Sequence, residues 1–199
     1  MRFVSLVSLV VLGFVLLLAV PPALVAAGVP CTGTSTVVAV GQGTPACDPN
    51  IAVVCPVGDK GMVRFTVTVL DCYGTPLAYK SVTCNAIPAS GAFCFCAGED
   101  PQVGTTNISG QVFYVYDNFG GCGGLQFNAV CQGVTLGPSN IVSIRSPDSD
   151  GSCSVNSVDL SRFASKYGTG DTCSDYNCDG VVNSIDLSTF ALHYGHACP

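Results

Sequence analysis

The 199-residue sequence has no tryptophan, only two histidines and few charged residues, and these shortages limit what the protein can do. Lysine and arginine total 7 against 13 aspartates and glutamates, which gives a formal net charge of −6. Nucleic-acid binding needs a concentrated positive surface, and no basic cluster is present here, so we expect no nucleic-acid partner. Glycine (23), proline (12) and cysteine (13) are abundant instead, which favours a turn-rich, cross-linked chain.

Motifs of the common catalytic machineries are also missing. The sequence contains no Gly-x-Ser-x-Gly, no His-Glu-x-x-His, no phosphate-binding glycine loop and no Cys-x-x-Cys. Glu99 and Asp100 are adjacent in a Gly/Pro-rich stretch, which favours a solvated turn, because glycosidase carboxylates usually come from separate elements facing a cleft. The sequence therefore predicts a protein that is not an enzyme.

Residues 1–27 have the composition of a secretory signal peptide. Arg2 supplies a positive start, residues 3–19 are apolar, and residues 25–27 are small before a cut near Gly28. A retained membrane anchor is the alternative, but two prolines and an alanine-rich end favour cleavage. No other segment is suited to a membrane span, so we expect a secreted or cell-surface protein.

Residues 28–145 show no convincing helical pattern. Short β-branched and aromatic runs alternate with Gly, Pro and Asn turns, and residues 63–69 alternate strictly between apolar and polar side chains. Spacing of roughly 8–15 residues suits an antiparallel β-sandwich. The predicted strands are residues 35–40, 51–55, 62–71, 80–85, 93–96, 111–116, 125–131 and 140–145.

The most informative stretch is residues 175–186, here called loop two, which has the ligand spacing of a calcium loop. Oxygen-bearing side chains recur at positions 1, 3, 5, 9 and 12, position 6 is Gly180, and the backbone carbonyl of position 7 completes the set. Ca²⁺ prefers such oxygen ligands. The predicted ligands are Asp175, Asn177, Asp179, Val181, Asn183 and Asp186.

The same pattern occurs 27 residues earlier, in residues 148–159, here called loop one. Its predicted ligands are Asp148, Asp150, Ser152, Ser154, Asn156 and Asp159. Position 6 is Cys153, and a non-glycine residue in a left-handed bend costs roughly 1 kcal/mol or more, so weaker calcium binding is expected in this loop. Each loop still carries three carboxylates, and the tandem repeat predicts two calcium ions.

A short helix is predicted after each loop. Apolar side chains recur at i, i+3, i+4 and i+7, and each helix is expected to start at a loop's last aspartate and to end at Gly168 or Gly195. Neither helix is long enough to be stable alone, so the two stripes are predicted to bury against each other. The stripes are Leu160, Phe163, Ala164 and Tyr167, and Leu187, Phe190, Ala191 and Tyr194.

Thirteen cysteines in an exported chain predict disulfides. The number is odd, so at least one cysteine is left over or pairs with a second chain, and an intermolecular disulfide is one outcome. Four cysteines follow the repeat, and two symmetric pairings fit them: Cys173–Cys178 with Cys153–Cys198, which we favour, or Cys153–Cys178 with Cys173–Cys198. The pairing of the other nine stays open.

A soft metal is the alternative to calcium. Two histidines lie close in sequence to several cysteines, and zinc takes such sulfur and nitrogen ligands. Calcium accounts for more residues, and export favours disulfides over thiolates. The alternative zinc ligands are Cys173, Cys178, His193, His196 and Cys198.

Residues 148–195 resemble a type I dockerin, a duplicated calcium-binding module. The residues that carry the resemblance are Asp175, Asn177, Asp179, Gly180, Asn183, Asp186 and the helix that follows them. The resemblance implies a small all-α, EF-hand-like module that binds a cohesin-type protein. In that family, loop positions 10 and 11 make much of the contact, which implies Ser157, Val158, Ser184 and Ile185 here, whereas the family's basic pair on the helix is absent.

The earlier part resembles bacterial immunoglobulin-like domains of the invasin/intimin type, which act as spacers or adhesion modules, and similar motifs occur in carboxypeptidase-regulatory-type sandwiches. The matching residues are Val67-Thr68-Val69, Asp71, Gly74-Thr75-Pro76-Leu77, Val82, Thr105-Thr106, Gly110 and Phe113.

The sequence thus predicts a signal peptide at 1–27, an all-β Ig-like sandwich at 28–145 and, almost without a linker, a dockerin-like module at 146–199. The predicted function is non-catalytic assembly or anchoring through a protein partner. The alternatives are an adhesin that binds glycans or a cell surface and has a purely structural calcium module, and an accessory part of a polysaccharide-degrading system.

Overall fold

The computed structural model describes residues 28–42, 47–58 and 61–199, so the predicted signal peptide lies outside the described residues. Within these ranges the chain is mainly β-sheet with two short helices. Neither helix is long and apolar enough to cross a membrane. The elements are β1 (Thr36–Gln42), β2 (Ile51–Val53), β3 (Met62–Thr68), β4 (Ser81–Pro88), β5 (Ala92–Phe95), β6 (Gln102–Thr105), β7 (Gln111–Tyr116), β8 (Phe119–Cys131), β9 (Val134–Leu136), β10 (Val142–Arg145), α1 (Ser157–Lys166) and α2 (Ser184–His193).

The strands form two sheets. The smaller sheet is antiparallel, in the order β1-β3-β7. The larger has the order β2-β10-β8-β4-β6, in which only the β2–β10 pair is parallel. Strand β8 also pairs with β5 and β9, so this one long strand joins most of the larger sheet.

The main hydrophobic core takes side chains from both sheets. Val63, Phe65 and Val67 of β3 are fully buried and Arg64 is exposed, which confirms the alternation predicted for this strand. Phe65 contacts Phe127 of β8, with ring centroids 4.9 Å apart. Burial of such side chains contributes about 25 cal/mol per Å² of apolar surface, and it holds the two sheets together.

Each of the eight predicted strands overlaps an observed strand, but the glycine-rich start of β8 was not predicted. Residues 119–122 pair with β5, and a Cβ at Gly121 would overlap the carbonyl oxygen of Ala92. Glycine is needed there for the close approach of the two backbones, yet it carries no strand signal in sequence. The short strands β6 and β9 were missed as well.

Glu99 and Asp100 do not form the expected solvated turn. Glu99 is buried, and its carboxylate accepts hydrogen bonds from the backbone N–H groups of Asp117 (2.6 Å) and Asn118 (3.2 Å). Asp100 accepts from the N–H of Ala86 at 2.8 Å and from the Tyr116 hydroxyl at 3.2 Å. Burial raises the pKa of Glu99. The two carboxylates have separate partners and tie the segment before β6 to neighbouring strands.

Residues 146–199 lie against the β-sheets and share a second, smaller core with them. Val53 of β2 and the following Cys55 are buried together with five apolar side chains of the C-terminal segment. Those five are Val155, Phe163, Tyr176, Val182 and Phe190. The expectation of a small all-α module is therefore not confirmed, because part of the core around its helices comes from the β portion.

The helices are close to the predicted positions, but their apolar stripes are only partly buried. Phe163 and Phe190 stack with ring centroids 5.4 Å apart and are almost fully buried. Leu160 and Leu187, one turn earlier on each helix, are 41% and 39% exposed. Mutual burial of the stripes is thus correct for the phenylalanines and wrong for the other six stripe residues, which are exposed, because the second core takes only Phe163 and Phe190 from the helices.

Both predicted disulfide patterns within the repeat are wrong. Each of its four cysteines pairs with a cysteine of the β portion, since both loops face strands and not each other. A fifth bridge lies within the β portion. The five disulfides of the described chain are Cys31–Cys72, Cys47–Cys178, Cys94–Cys153, Cys96–Cys198 and Cys122–Cys173.

Three cysteines stay outside the disulfides, and all three are in the interior. Cys55, Cys84 and Cys131 each have 0% exposed surface. Burial raises the pKa of Cys84 to about 12, so its thiol stays protonated at neutral pH. The intermolecular disulfide expected from the odd cysteine therefore finds no exposed thiol in the described part of the chain.

The Cys122–Cys173 bridge gives a test of the disulfide connectivity and of its contribution to stability. Replacing both residues by alanine should lower the free energy of unfolding by about 2–4 kcal/mol, because the bridge closes a 51-residue separation in the unfolded chain. Urea unfolding in oxidising buffer measures the change, with the Cys84→Ala variant as a control that breaks no bridge. Non-reducing peptide mapping that found Cys173 joined to Cys178 or to Cys198 would contradict the connectivity.

Candidate metal centre

Each of the two predicted loops brings three carboxylates to one place. In loop one, one oxygen each of Asp148, Asp150 and Asp159 lie within 4.8 Å of one another. In loop two the same holds for Asp175, Asp179 and Asp186. All six were predicted as ligands. At about 4 Å two carboxylates repel by about 4 kcal/mol at an effective dielectric of 20, a repulsion that a cation between them would relieve.

The last aspartate of each loop is fixed by the start of a helix. Asp159 accepts a hydrogen bond from the N–H of Asn156 at 3.0 Å, and Asp186 from the N–H of Asn183 at 2.9 Å. The asparagine side chains in turn accept from the helix, which completes a capping box at each N-terminus. The geometry at position 12 is therefore coupled directly to the start of the helix.

The position-9 asparagines cap the helices. The side-chain oxygens of Asn156 and Asn183 accept from the N–H groups of Val158 and Ile185, each at 2.8 Å. Their amide nitrogens donate to the position-7 carbonyls of Ser154 and Val181, each at 3.0 Å. The sequence pattern did not distinguish these roles, since an N-cap and a ligand both call for an oxygen-bearing side chain.

The remaining predicted ligands arrange the loop turns. Ser152 donates its hydroxyl to Asp148 at 3.4 Å and to the carbonyl of Ser154 at 3.2 Å. Asn177 donates its amide to Asp179 at 2.8 Å. That bond and the backbone N–H of Val181 lower the pKa of Asp179, which keeps this exposed carboxylate ionised.

Each loop has two left-handed positions, and one of them is cysteine. Gly151 and Cys153 have φ of 67° and 66° in loop one, and Cys178 and Gly180 have 61° and 89° in loop two. A non-glycine residue costs roughly 1 kcal/mol in this conformation. Cys153 and Cys178 are both bridged to the β portion, so the same residue that is strained also anchors its loop. The sequence predicted the left-handed bend at Cys153, but neither its bridge to the β portion nor the same conformation at Cys178.

Loop one contacts β8 directly. The N–H of Gly121 donates to the carbonyl of Asp148 at 2.7 Å, and a Cβ at Gly120 would overlap the Asp148 carboxylate. Asp148 is fully buried, and this burial raises its pKa to about 6. Its two oxygens accept backbone hydrogen bonds from Ser152 and Cys153. A buried carboxylate in such a cluster fits a site that holds a cation.

A positively charged side chain from outside loop two lies beside its first carboxylate. Arg145 at the end of β10 is buried, and its Nη1 lies 3.2 Å from a carboxylate oxygen of Asp175. The same nitrogen donates to the backbone carbonyl of Asp175. Calcium-loop spacing carries no signal for a residue outside the loop, so only the folded chain identifies Arg145 as part of this cluster.

The zinc site considered as the alternative to calcium is wrong as stated. Cys173, Cys178 and Cys198 are all in disulfides and offer no thiolate. The two histidines approach a cysteine of the β portion instead.

Comparison of the chain with protein-family models, with curated proteins and with solved structures found no match. The functional interpretation therefore depends on the geometry of the loops and on the residues that surround them.

Neutralising one carboxylate in each loop tests the metal centres. Asp148→Asn and Asp175→Asn should each remove one calcium-binding event, because each takes away a charged first ligand. Isothermal titration calorimetry of the mature chain measures the stoichiometry. Asp171→Asn is the matched control, since Asp171 lies between the loops and pairs with Lys166 at 3.6 Å. Unchanged calcium binding in both loop variants would show that these carboxylates are not ligands.

The Arg145 pair predicts a difference between the calcium-free and calcium-bound states. Arg145→Met should lower the free energy of unfolding by about 3 kcal/mol in chelator, because it leaves the buried Asp175 without its counter-charge. In saturating calcium the loss should be smaller, since the ion supplies positive charge to the same carboxylate. Thermal unfolding in both buffers measures the difference, and an equal loss in the two would contradict it.

Proposed function

We propose that this protein is a secreted or cell-surface, non-catalytic protein that binds two calcium ions and uses the calcium-stabilised helices to bind a protein partner. The observation that carries the proposal is the convergence of three carboxylates in each loop, immediately before a helix with exposed apolar side chains. The β portion, which resembles an immunoglobulin-like sandwich, acts in this proposal as the spacer that holds the helices.

The disulfides support a secreted or cell-surface location. Five disulfides in a chain of this size are typical of oxidising environments and rare in the cytosol. Extracellular calcium is also abundant enough to fill sites of modest affinity.

The partner surface proposed here is the apolar helix face, defined as Val158, Leu160, Ile185, Leu187 and Tyr194. These side chains are 39–57% exposed. Leu160, Leu187 and Tyr194 also line a groove of about 310 Å³ together with Phe190 and Ala191. Apolar side chains grouped around a groove favour protein binding, because contact with a partner removes them from water.

Four of the five residues of this surface form two pairs related by the repeat. Val158 and Leu160 follow loop one as Ile185 and Leu187 follow loop two. Ser157 and Ser184, the other residues expected at the contact, are also exposed. The cohesin-type partner stays a prediction from the sequence resemblance, and the exposed side chains support an apolar contact more than a charged one.

Calcium links to this surface through the capping boxes. Asp159 and Asp186 each belong to a carboxylate cluster and also hold the N-cap residue of the helix. Binding of an ion fixes these aspartates, and the start of each helix is fixed with them. Partner binding is therefore proposed to depend on calcium.

A second candidate is adhesion through the outer face of the smaller sheet. Val38, Phe113 and Val115 lie on this face and are 41–47% exposed. The Arg64 guanidinium lies 5.0 Å from the centre of the Phe113 ring. An aromatic ring beside a cation suits a glycan or another cell-surface ligand, and in that case the calcium loops serve only stability.

A binding assay with matched variants separates the two candidates. The mature chain, tested against a panel of immobilised cohesins, should bind in calcium and lose binding in chelator. The double change Leu160→Asp and Leu187→Asp should weaken binding by at least about tenfold, because it places charge in the proposed apolar contact. Leu192→Asp is the control, since Leu192 is 72% exposed on α2 and does not line the groove.

The contrary outcome is equally specific. Binding that survives chelator and both leucine changes, and is lost in Phe113→Asp, would move the ligand site to the smaller sheet. Absence of binding to every cohesin tested would remove the cohesin-type partner from the proposal.

A further inference from the structure

Three sulfur and nitrogen ligands converge at the edge of the second core, in a cluster distinct from the carboxylates of both loops. Cys55 follows β2, His193 ends α2, and His196 lies in the turn beyond it. One ligand atom from each of the three lies within 4.8 Å of the other two. Cys55 and His196 are 141 residues apart in sequence, so only the folded chain brings them together.

The distances match the edges of a zinc coordination tetrahedron. The Cys55 Sγ lies 3.7 Å from the His196 Nδ1, and the two histidine Nδ1 atoms are 3.3 Å apart. Zinc bonds of about 2.3 Å to sulfur and about 2.0–2.1 Å to nitrogen, at tetrahedral angles, give edges of about 3.6 Å and about 3.3 Å. A hydrogen bond between the two imidazoles would favour a shorter separation, near 3.0 Å.

The backbone holds the two imidazoles in position. The N–H of His196 donates to the carbonyl of His193 at 3.0 Å, and the His196 carbonyl accepts from the N–H of Val155 at 2.8 Å. Gly195 donates to the carbonyl of Val155 at 2.9 Å and has φ of 87°, which glycine adopts without strain. Hydrogen bonds to Val155 of loop one therefore hold the turn between the histidines in place without a bound ion.

The surroundings favour a borderline metal over calcium. Cys55 is fully buried, His193 is 3% exposed, and Cys55 belongs to the apolar cluster that contains Val155 and Phe190. Sulfur and imidazole nitrogen are ligands for zinc, whereas calcium takes oxygen. His196 is half-buried, so the site is reachable from solvent on one side.

We propose that Cys55, His193 and His196 form a zinc-binding site. The thiol of Cys55 releases its proton when its sulfur bonds to Zn²⁺, and each imidazole binds as the neutral ring. Three protein ligands leave a fourth position for water or for an exogenous ligand. The bound ion joins the β portion to the end of α2 and adds a non-covalent link beside the four disulfides between these parts.

Calorimetry with Zn²⁺ on the oxidised mature chain, in saturating calcium to fill the loops, tests the site. One zinc ion should bind per chain. Cys55→Ala and His196→Gln should each weaken zinc binding by at least about 100-fold, because even residues that only support a metal ligand cost 10–100-fold when replaced. Cys84→Ala is the matched control, since Cys84 is also buried and outside the disulfides, and its zinc affinity should be unchanged.

Cobalt substitution supplies a second readout, because a thiolate bound to Co²⁺ gives a charge-transfer absorption that imidazole and carboxylate ligands do not. The band should appear in the wild-type chain and in Cys84→Ala and be absent from Cys55→Ala. Should Cys55→Ala fail to fold, His196→Gln decides, since His196 lies at the solvent side of the site. Failure of the wild-type chain to take up zinc, or full zinc affinity in His196→Gln, would overturn the proposal and leave the calcium sites unaffected.

Discussion

The attachment of the loop-helix segment to the β-sheets is the constraint on which the rest of the structure depends. Four disulfides cross between the two parts, and loop one lies so close to β8 that only glycine fits at position 120. Each helix has 10 residues, too few to be stable alone in water. The β portion supplies part of the missing core through Val53 and Cys55 and fixes both loops covalently. The helices are thus ordered by what they are attached to.

The negative charge of the grouped carboxylates is the second constraint, and the two loops differ in what lies beside their first aspartate. Loop one holds Asp148 fully buried, and backbone N–H groups and a serine hydroxyl hydrogen-bond to its carboxylate. Loop two has the guanidinium of Arg145 beside Asp175. The first aspartate of each loop accepts two backbone hydrogen bonds, and Asp175 of loop two has a positive charge beside it in addition. Sequence spacing ranks loop one as the weaker calcium site because of Cys153, whereas the position of Arg145 lowers the electrostatic gain for an ion in loop two.

Hard and soft ligands are segregated in this small protein. Carboxylates are grouped in the loops, and the Cys55–His193–His196 cluster lies at the edge of the apolar second core. Most cysteines are consumed by disulfides, so only a cysteine protected inside the core keeps a thiol for metal binding. The proposed calcium ions act at the starts of α1 and α2, the proposed zinc ion acts at the end of α2, and the proposed partner binds the apolar helix face.

The sequence by itself determined the elements that depend on local pattern. Alternation in residues 63–69 predicted β3, and the 27-residue repeat predicted both loops, both helices and the six aspartates that converge. Local spacing is enough there, because a strand face or a calcium loop is defined by residues near one another in the chain. Only the tertiary structure decided the disulfides, the burial of Glu99, the place of Arg145 and the meeting of Cys55 with the two histidines. These contacts depend on which surfaces pack together. Contacts between residues far apart in the chain produce no repeating pattern in the sequence of either segment.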